Sequence, residues 1–369
     1  MSAAAQAALS ETVEENFAGG VTVAGTNSID NGAFKDARGA FQVQQSTSGN
    51  SGVGQNMAIA AADARTFSYG SPHGGGDDDA NTSSTVFGNR SGVGGFTLGN
   101  VSFFAFPNDV TIDTTNVIDD FAFKNARGAF QVQQNGSVNS SVSQNMAISA
   151  IKENGRPTDT TVGARASTFA LVEANSAQLS HIDGGENTIE DFAFKNARGA
   201  FQVQQNRSIN SSAGENMRII AVKDPDGSIS TAFSSNASVQ TFVEFNSALN
   251  SNVKGDNTIA GNAFKNAAGA FQVQQNNAIN SSTQQNMSIA AVDARDAHVF
   301  GITEQETATL QHIVSFNTAT AVPVTGFNQL DDHAFANAKG AFQVQQNSSV
   351  NSAVSQNMSI IAVSTTGRH

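Results

Sequence analysis

Cysteine and tryptophan are both absent from the 369 residues, and proline occurs only five times. Without cysteine the chain can form neither a disulfide nor a thiolate metal site. The absence is compatible with either a reducing or an oxidising compartment. The fold must therefore be held by packing and hydrogen bonds alone.

Charge is also scarce, since charged residues make up 14% of the chain and the net charge is −12. Lysine and arginine form no run, and nucleic-acid binding requires a basic face, so we expect no nucleic-acid partner. No apolar stretch approaches the roughly 20 residues of a membrane-spanning helix, so we expect no membrane insertion. The first twenty residues have neither a basic segment nor an apolar core, so no signal peptide is predicted in this numbering.

Leucine appears only seven times, whereas phenylalanine appears 26 times. Phenylalanine, valine and isoleucine suit a pleated, half-buried surface. Polarity comes mainly from asparagine, glutamine, serine and threonine. This composition predicts an all-β protein.

One motif occurs five times without internal gaps, approximately A-F-x-N-A-x-G-A-F-Q-V-Q-Q-N-x-S-x-N-S-S-x-x-Q-N-M-x-I-x-A-V. Its central glycines are 89, 71, 70 and 71 residues apart, and every methionine except Met1 falls at one position of the motif. The copies predict the following organisation: an N-terminal segment (1–32), repeats at 33–62, 122–151, 193–222, 263–292 and 334–363, connectors at 63–121, 152–192, 223–262 and 293–333, and a tail (364–369).

Within one copy, Phe130 and Val132 alternate with Ala129 and Gln131, the period-two pattern of a half-buried strand. Residues 135–141 are rich in Gly, Ser and Asn and predict a turn or arc. A second alternating run follows, which contains Met146 and Ile148. Each copy is therefore expected to form a strand, an arc and a strand.

Gly128 is predicted to bend the chain so that Phe123 and Phe130, seven residues apart, both point inward. An amphipathic helix through the two phenylalanines is the alternative. Stacked strands lie about 4.8 Å apart, so equivalent side chains should form ladders, with amide ladders of Gln and Asn beside them. The predicted ladder residues are Phe34, Phe123, Phe194, Phe264 and Phe335; Phe41, Phe130, Phe201, Phe271 and Phe342; Met57, Met146, Met217, Met287 and Met358; and the repeat glycines Gly39, Gly128, Gly199, Gly269 and Gly340.

Stacking also brings like charges together, because Lys and Arg recur at matching positions of the first three copies. Acidic residues just upstream are expected to neutralise this column. The fourth copy has Ala268 in place of the arginine and lacks the adjacent acid. The residues concerned are Lys35/Arg38, Lys124/Arg127 and Lys195/Arg198 on the basic side, and Asp30, Asp119/Asp120 and Glu190/Asp191 on the acidic side.

The connectors carry alternating apolar runs, such as residues 168–172 and 241–245, and are expected to add strands. An insertion between the first two copies, residues 71–95, is rich in Gly and Asp and has the composition of a loop. The sequence leaves open whether one period forms one wide layer or two narrower ones.

No catalytic, cofactor or metal site is predicted. The histidines share no motif and no repeat position, and Asp77 beside His73 is interpreted as part of a solvated acidic loop. Motifs of nucleotide binding or serine hydrolysis are missing. Paired acids recur with the repeat, as structural charges do, so we expect no enzyme. The six histidines are His73, His181, His298, His312, His333 and His369.

The fifth copy matches the consensus and is followed by only six residues, so no C-terminal capping repeat is evident. Repeats of this kind resemble Fap-type functional amyloid subunits and, more distantly, curli subunits. Two differences from the Fap pattern are the five copies instead of three and the missing Cys-x-x-Cys.

The resemblance implies a secreted, extracellular fibril subunit of the biofilm matrix, whose partners are itself, an outer-membrane secretion pore and a minor nucleator. The fold predicted from the repeat is an all-β, cross-β solenoid of five stacked strand-arc-strand repeats in an amyloid-like fibril. The alternative is a β-solenoid adhesin or surface-binding protein that does not polymerise.

Overall fold

The computed structural model is all-β, as predicted, and its strands stack in parallel sheets. Helices do not occur in the part of the chain that it describes, so the helical alternative for the two phenylalanines is wrong. The described residues are 2–14, 17–18, 21–49, 52–63, 81–86, 90–94, 110–138, 141–152, 158–173, 176–178, 180–183, 185–224, 229–295 and 303–366.

The strands fall into five passes of the chain, each of which ends with one copy of the repeat. The first pass contains β1 (Ser2–Glu14), β2 (Phe17–Ala18), β3 (Val21–Ile29), β4 (Arg38–Gly49) and β5 (Gly52–Asp63). The second contains β6 (Asn81–Val86), β7 (Arg90–Gly94), β8 (Val110–Ile118), β9 (Arg127–Val138) and β10 (Ser141–Lys152). The third contains β11 (Thr158–Glu173), β12 (Ser176–Gln178), β13 (Ser180–Ile182), β14 (Glu186–Ile189), β15 (Arg198–Ile209) and β16 (Ser212–Asp224). The fourth contains β17 (Ile229–Glu244), β18 (Ser247–Leu249), β19 (Asn252–Lys254), β20 (Asp256–Ile259), β21 (Ala268–Ile279) and β22 (Ser282–Arg295). The fifth contains β23 (Thr303–Ser315), β24 (Thr318–Thr320), β25 (Val324–Thr325), β26 (Asn328–Leu330), β27 (Lys339–Val350) and β28 (Ala353–Thr366).

Four large sheets arise because each pass adds its strands to the same sheets. The Phe sheet is β4-β9-β15-β21-β27, and the Met sheet is β5-β10-β16-β22-β28. The Asn sheet begins with β3 and β8 and continues with the strand pairs β13/β14, β19/β20 and β25/β26. The connector sheet comprises β1, β6, β7, β11, β17 and β23, and a short sheet joins β2, β12, β18 and β24.

Pairing in the Phe and Met sheets is parallel and in register with the sequence repeat. Phe130 lies beside Phe41 on one side and Phe201 on the other, and Met146 likewise lies between Met57 and Met217. Each period therefore adds one strand to each of these two sheets. In these two sheets, each period of the sequence therefore forms one layer rather than two.

Strand order in the connector sheet differs from that of the other sheets. Here β1 pairs with β11 of the third pass, and β6 and β7 of the second pass pair with the outer edge of β1. Both β6 and β7 lie inside residues 71–95, so the loop expected for this insertion is wrong at these two segments.

A sharp bend at residues 119–126 joins the Asn sheet to the Phe sheet. Asp120, Phe121 and Asn125 have positive φ angles of 45°, 61° and 59°, and Asn and Asp are among the residues that best tolerate this conformation. The bend brings the rings of Phe123 and Phe130 to 5.7 Å in an edge-to-face contact.

The arc predicted at residues 135–141 is wrong in extent, because β9 continues to Val138. In the third copy the reversal is confined to two residues, and Asn210 takes a φ of 51° there. The strand continues because Asn206 hydrogen-bonds to Asn135 at 3.0 Å, while Val138 is fully buried against the Asn sheet. Polar residues that favour turns in isolation are thus satisfied by their equivalents in the next copy.

The three inner Phe-sheet strands, β9, β15 and β21, are buried on both faces. Phe130 and Val132 pack against Ile118 of the Asn sheet, whereas Ala129 packs against Met146 of the Met sheet. The other face of the Met sheet contacts the connector sheet. The chain thus folds back and forth across four adjoining sheets, and its side chains meet their equivalents along the perpendicular axis.

Candidate functional site

Phenylalanine side chains form two continuous stacks through the core. Ring centroids of Phe123 and Phe194 are 4.8 Å apart with an interplanar angle of 1°, and those of Phe130 and Phe201 are 4.8 Å apart at 2°. The three inner rings of each stack are fully buried. Burying one such side chain is worth roughly 1.5 to 3 kcal/mol, so these stacks are a major stabilising term. The stacks contain Phe34, Phe123, Phe194, Phe264 and Phe335, and Phe41, Phe130, Phe201, Phe271 and Phe342.

Methionines form a third column between the Phe and Met sheets. Met146, Met217 and Met287 are fully buried against the alanines that follow the repeat glycines. Met57 and Met358, at the two ends, also belong to this cluster. The flexible thioether fills the space that each small alanine leaves.

The repeat glycines are required by the backbone. Gly199 has a φ of 130°, and a Cβ atom on it would lie 2.0 Å from the carbonyl oxygen of Gly128 in the preceding copy. Gly39, in the first copy, has a similar φ of 127°, but its Cβ would meet only the Phe41 ring at 3.6 Å.

Replacing Gly199 with alanine is therefore expected to cost about 3 kcal/mol or more, because the change combines a backbone clash with positive-φ strain. Gly39→Ala carries the strain alone and should cost about 1 to 2 kcal/mol. Denaturant titration of both variants checks this order, and equal losses would contradict the stacked register.

Glutamine ladders connect the copies and also fasten neighbouring sheets. Gln131 Nε2 donates to Gln202 Oε1 at 2.8 Å and to the Asn145 carbonyl of the Met sheet at 2.8 Å. Gln134 Nε2 donates to Gln45 Oε1 at 2.8 Å and to the Val117 carbonyl of the Asn sheet at 2.9 Å. Each amide therefore stabilises both the stack and the contact between sheets.

The connectors contribute an asparagine ladder, which lies in the Asn sheet and was not predicted from the sequence. Asn116 Nδ2 donates to Asn187 Oδ1 at 2.8 Å, and Asn187 Nδ2 donates to Asn257 Oδ1 at 2.8 Å. The Asn-Thr-Ile and Asn-Val-Ile triplets that recur before the repeats could have indicated this ladder. The ladder comprises Asn27, Asn116, Asn187, Asn257 and Asn328.

The ladders have opposite directions. Donors point toward the C-terminal copy in the columns that begin at Gln42, Gln44 and Asn27. They point toward the N-terminal copy in the column from Gln45 to Gln346 and in the column from Asn135 to Asn347. The two ends of the stack consequently present different and complementary groups.

One buried acid interrupts a glutamine column of the Met sheet. Glu215 pairs in register with Gln144 and Gln285, is fully buried, and accepts a 2.8 Å hydrogen bond from Gln144 Nε2. Burial raises the pKa of Glu215 well above its usual value, although the hydrogen bond from Gln144 opposes that change. The acid makes the third copy a point of pH sensitivity.

Arg207 is buried in the same copy, between the Phe sheet and the Asn sheet. Its Nη1 donates to the carbonyl of Gly185, and its Nη2 lies 3.4 Å from the carbonyl of Asp183. Burial lowers the pKa of Arg207 to about 10, although Asp113 and other nearby acids oppose this shift.

The predicted acid-base ladder does not form. Within the described residues, the repeat lysines and arginines make no ion pair with the upstream acids; Lys124 Nζ lies 4.5 Å from the centroid of the Phe121 ring instead. Burial and the neighbouring acids Asp120, Asp30 and Asp191 raise the pKa of Asp119. Burial and Asp191 likewise raise the pKa of Glu190. The carboxylates therefore form a column of like charge, and the lysines contact aromatic rings.

Histidines and acids are dispersed in the part of the chain that can be described, where no group of three or more is placed to hold a metal ion. His181 and His333 lie in different parts of the fold. The acidic segment with His73 and Asp77 falls outside the described residues, as do His298 and His369.

The two ends of the stack are less buried than its middle. Residues of β21 from Ala270 to Ile279 are buried, whereas the equivalent residues of β27 are only half buried. Phe41, in the first pass, is also half buried. Among the described strands, none covers the outer edge of β4 or β27.

No protein-family model, curated protein or solved structure matches this sequence. The described part of the chain contains no helix that could span a lipid bilayer. Inferences about function therefore depend on the ladders and on the two open edges.

Proposed function

We propose that this chain is a structural subunit in which the five copies form a cross-β solenoid, and that subunits join end to end into an amyloid-like fibre. The observation that carries the proposal is the complementarity of the two open ends. An uncovered strand edge is a template for another strand. Here the strand that each end fits best belongs to a second copy of the same chain.

Backbone groups at the ends support this joint. Phe264 N donates to the Ala334 carbonyl at 2.7 Å, and Phe335 N holds the same place in the last copy, facing along the axis. At the other end, the Ala33 carbonyl holds the place of the Ala334 carbonyl. Lys339 N donates to the Ala267 carbonyl at 2.8 Å, and Arg38 N is its first-copy equivalent. A second molecule that continues the stack beyond the last copy would accept the hydrogen bond of Phe335 N at its own Ala33 carbonyl. Its Arg38 N would in turn donate to the last copy of the first molecule.

Side-chain amides favour the same head-to-tail arrangement. Gln345 is the donor end of one column, and Gln44 is its acceptor end. Gln346 and Gln45 are the acceptor and donor ends of a column that runs the opposite way. A head-to-head joint would place donors against donors, so the fibre should be polar.

The aromatic stacks would continue through the joint as well. Phe342 stacks on Phe271 at 4.8 Å and keeps its other face open, and Phe41 does the same at the opposite end. Closing the joint would bury both rings on both faces. The apolar gain adds to the hydrogen bonds and makes the proposed assembly favourable.

The wider setting follows from the resemblance to secreted fibril subunits. We propose an extracellular, non-enzymatic role as a fibre of a biofilm matrix, with export through an outer-membrane pore and assembly on a nucleator. The polar, weakly charged ladder core supports this role, since matching amides and aromatic rings are typical of cross-β assemblies.

Dilution of the purified chain from denaturant tests the proposal. We expect unbranched fibres that seed fresh monomer, and a fibre-diffraction reflection near 4.8 Å along the axis. Each subunit should add about five strand spacings, roughly 24 Å, to the length. A folded monomer at every concentration would contradict fibre formation and favour a surface-binding protein instead.

A further inference from the structure

An apolar groove of about 830 Å³ runs along the stack between the Phe sheet and the Met sheet. Glycine and alanine from the start of each Phe-sheet strand line one side, and one isoleucine from each Met-sheet strand lines the other. In the second pass these residues are Gly128, Ala129 and Ile148. The volume lies within the range of small-molecule sites.

Stacking keeps the groove open along its whole length. A side chain cannot replace Gly128, because its Cβ would lie 1.9 Å from the Gly39 carbonyl oxygen. The facing isoleucines remain accessible in every copy, and Ile59 is 50% exposed. Five strands at intervals of about 4.8 Å make the groove about 19 Å long.

Positive charge follows one rim of the groove. Arg127 immediately precedes Gly128 and is paired in register with Arg38 and Arg198, and all three side chains are exposed. Lys339 holds this place in the fifth copy, and Ala268 holds it in the fourth. Four of the five copies therefore carry a positive charge at this rim.

We propose that this groove binds a long-chain alkyl carboxylate. The hydrocarbon lies along the stack on the glycine, alanine and isoleucine walls, and the carboxylate accepts hydrogen bonds from the guanidinium groups of Arg127 and Arg198. The shape carries the first half of this assignment, since a straight, narrow, apolar channel fits an extended hydrocarbon chain. Charge complementarity carries the second half, because planar guanidinium groups match a carboxylate. The groove lies within one chain, so binding does not require assembly.

Calorimetric titration with palmitate below its critical micelle concentration tests the assignment, with hexadecanol as the neutral analogue. The wild-type chain should bind palmitate more tightly than hexadecanol. Replacing both arginines (Arg127→Gln and Arg198→Gln) should weaken palmitate binding by about tenfold, the low end of the contribution of a charge-assisted hydrogen bond, and leave hexadecanol unchanged. Ala268 already stands at this position in the fourth copy, so the stack accommodates a residue without charge there.

The matched control removes the same charge away from the groove. Lys124→Gln with Lys195→Gln should leave palmitate affinity unchanged, because these lysines lie over the rings of Phe121 and Phe192. Ile219→Gln places a polar group in the groove and should weaken both ligands. Equal loss in the lysine and arginine variants would overturn the assignment, as would Ile219→Gln binding at wild-type strength; circular dichroism checks that each variant is folded.

Discussion

Phe342→Lys is expected to stop fibre growth by the proposed route while leaving the single molecule folded. The Phe342 ring is half buried and stacks on Phe271 through one face only, so a lysine at this end can extend its ammonium into water. In the joint between two molecules, that ammonium would lie against Phe41 of the next molecule. Burial of an unpaired charge costs several kcal/mol, so the elongation equilibrium should fall by at least about a hundredfold.

Seeded elongation followed by sedimentation measures this effect. Phe342→Leu keeps an apolar side chain at the same place and should elongate nearly normally, whereas Phe201→Lys, inside the stack, should prevent folding. Phe342→Lys should also bind to growing wild-type ends through its intact N-terminal face and block them at low molar ratio. Wild-type elongation of the lysine variant would refute the end-to-end joint.

Glu215→Gln is expected to stabilise the fold at neutral pH. The other four copies have glutamine at this position, so the substitution restores the interrupted column. Because the folded-state pKa of Glu215 is raised, its contribution to stability is fully present below its unfolded pKa, near 4.5, and is lost as pH rises toward the folded value. The variant should therefore gain on the order of 2 kcal/mol at pH 7.5 and little at pH 4.

Denaturant unfolding of both proteins at the two pH values checks the sign. The variant should retain part of the pH dependence, since the raised pKa values of Asp119 and Glu190 act in the same direction. Gln285→Glu supplies the opposite change, because it sets a second carboxyl beside Glu215, and it should destabilise at neutral pH. A gain from Glu215→Gln that is equal at both pH values would show that burial of the charge is not its cause.

Repetition made the main stacking direction predictable from sequence. Phe130, Val132 and Ala129 alternate with the period of a strand, and equivalent residues recur at one spacing, so the faces of the Phe sheet follow from simple rules. A kink between Phe123 and Phe130 was also predictable, because an odd spacing between two core rings requires one, but its predicted place at Gly128 is wrong: the sharp bend lies at residues 119–126 and Gly128 belongs to β9. These features depend on local geometry and on identity between copies.

Other features depend on contacts between segments with no shared pattern, and the sequence did not reveal them. Asn135 looks like a turn residue alone, yet its amide is satisfied by Asn206 and the strand continues. Lys124 was assigned to an acid, but the bend places it over Phe121. Glu215 differs from its equivalents by one functional group, so its burial becomes evident only when the neighbouring glutamines surround it.

In the Phe and Met sheets, each repeat adds one strand. The width and the length of the proposed fibre are therefore set independently. Its cross-section is set by the sequence of one period, and the length per molecule is set by the number of periods. A mass of 38.2 kDa spread over about 24 Å gives about 1.6 kDa per Å, a value that electron microscopy can weigh directly. Natural or engineered chains with four or six periods would share this mass per unit length. Gain or loss of a whole period would change only the length of fibre that one molecule spans.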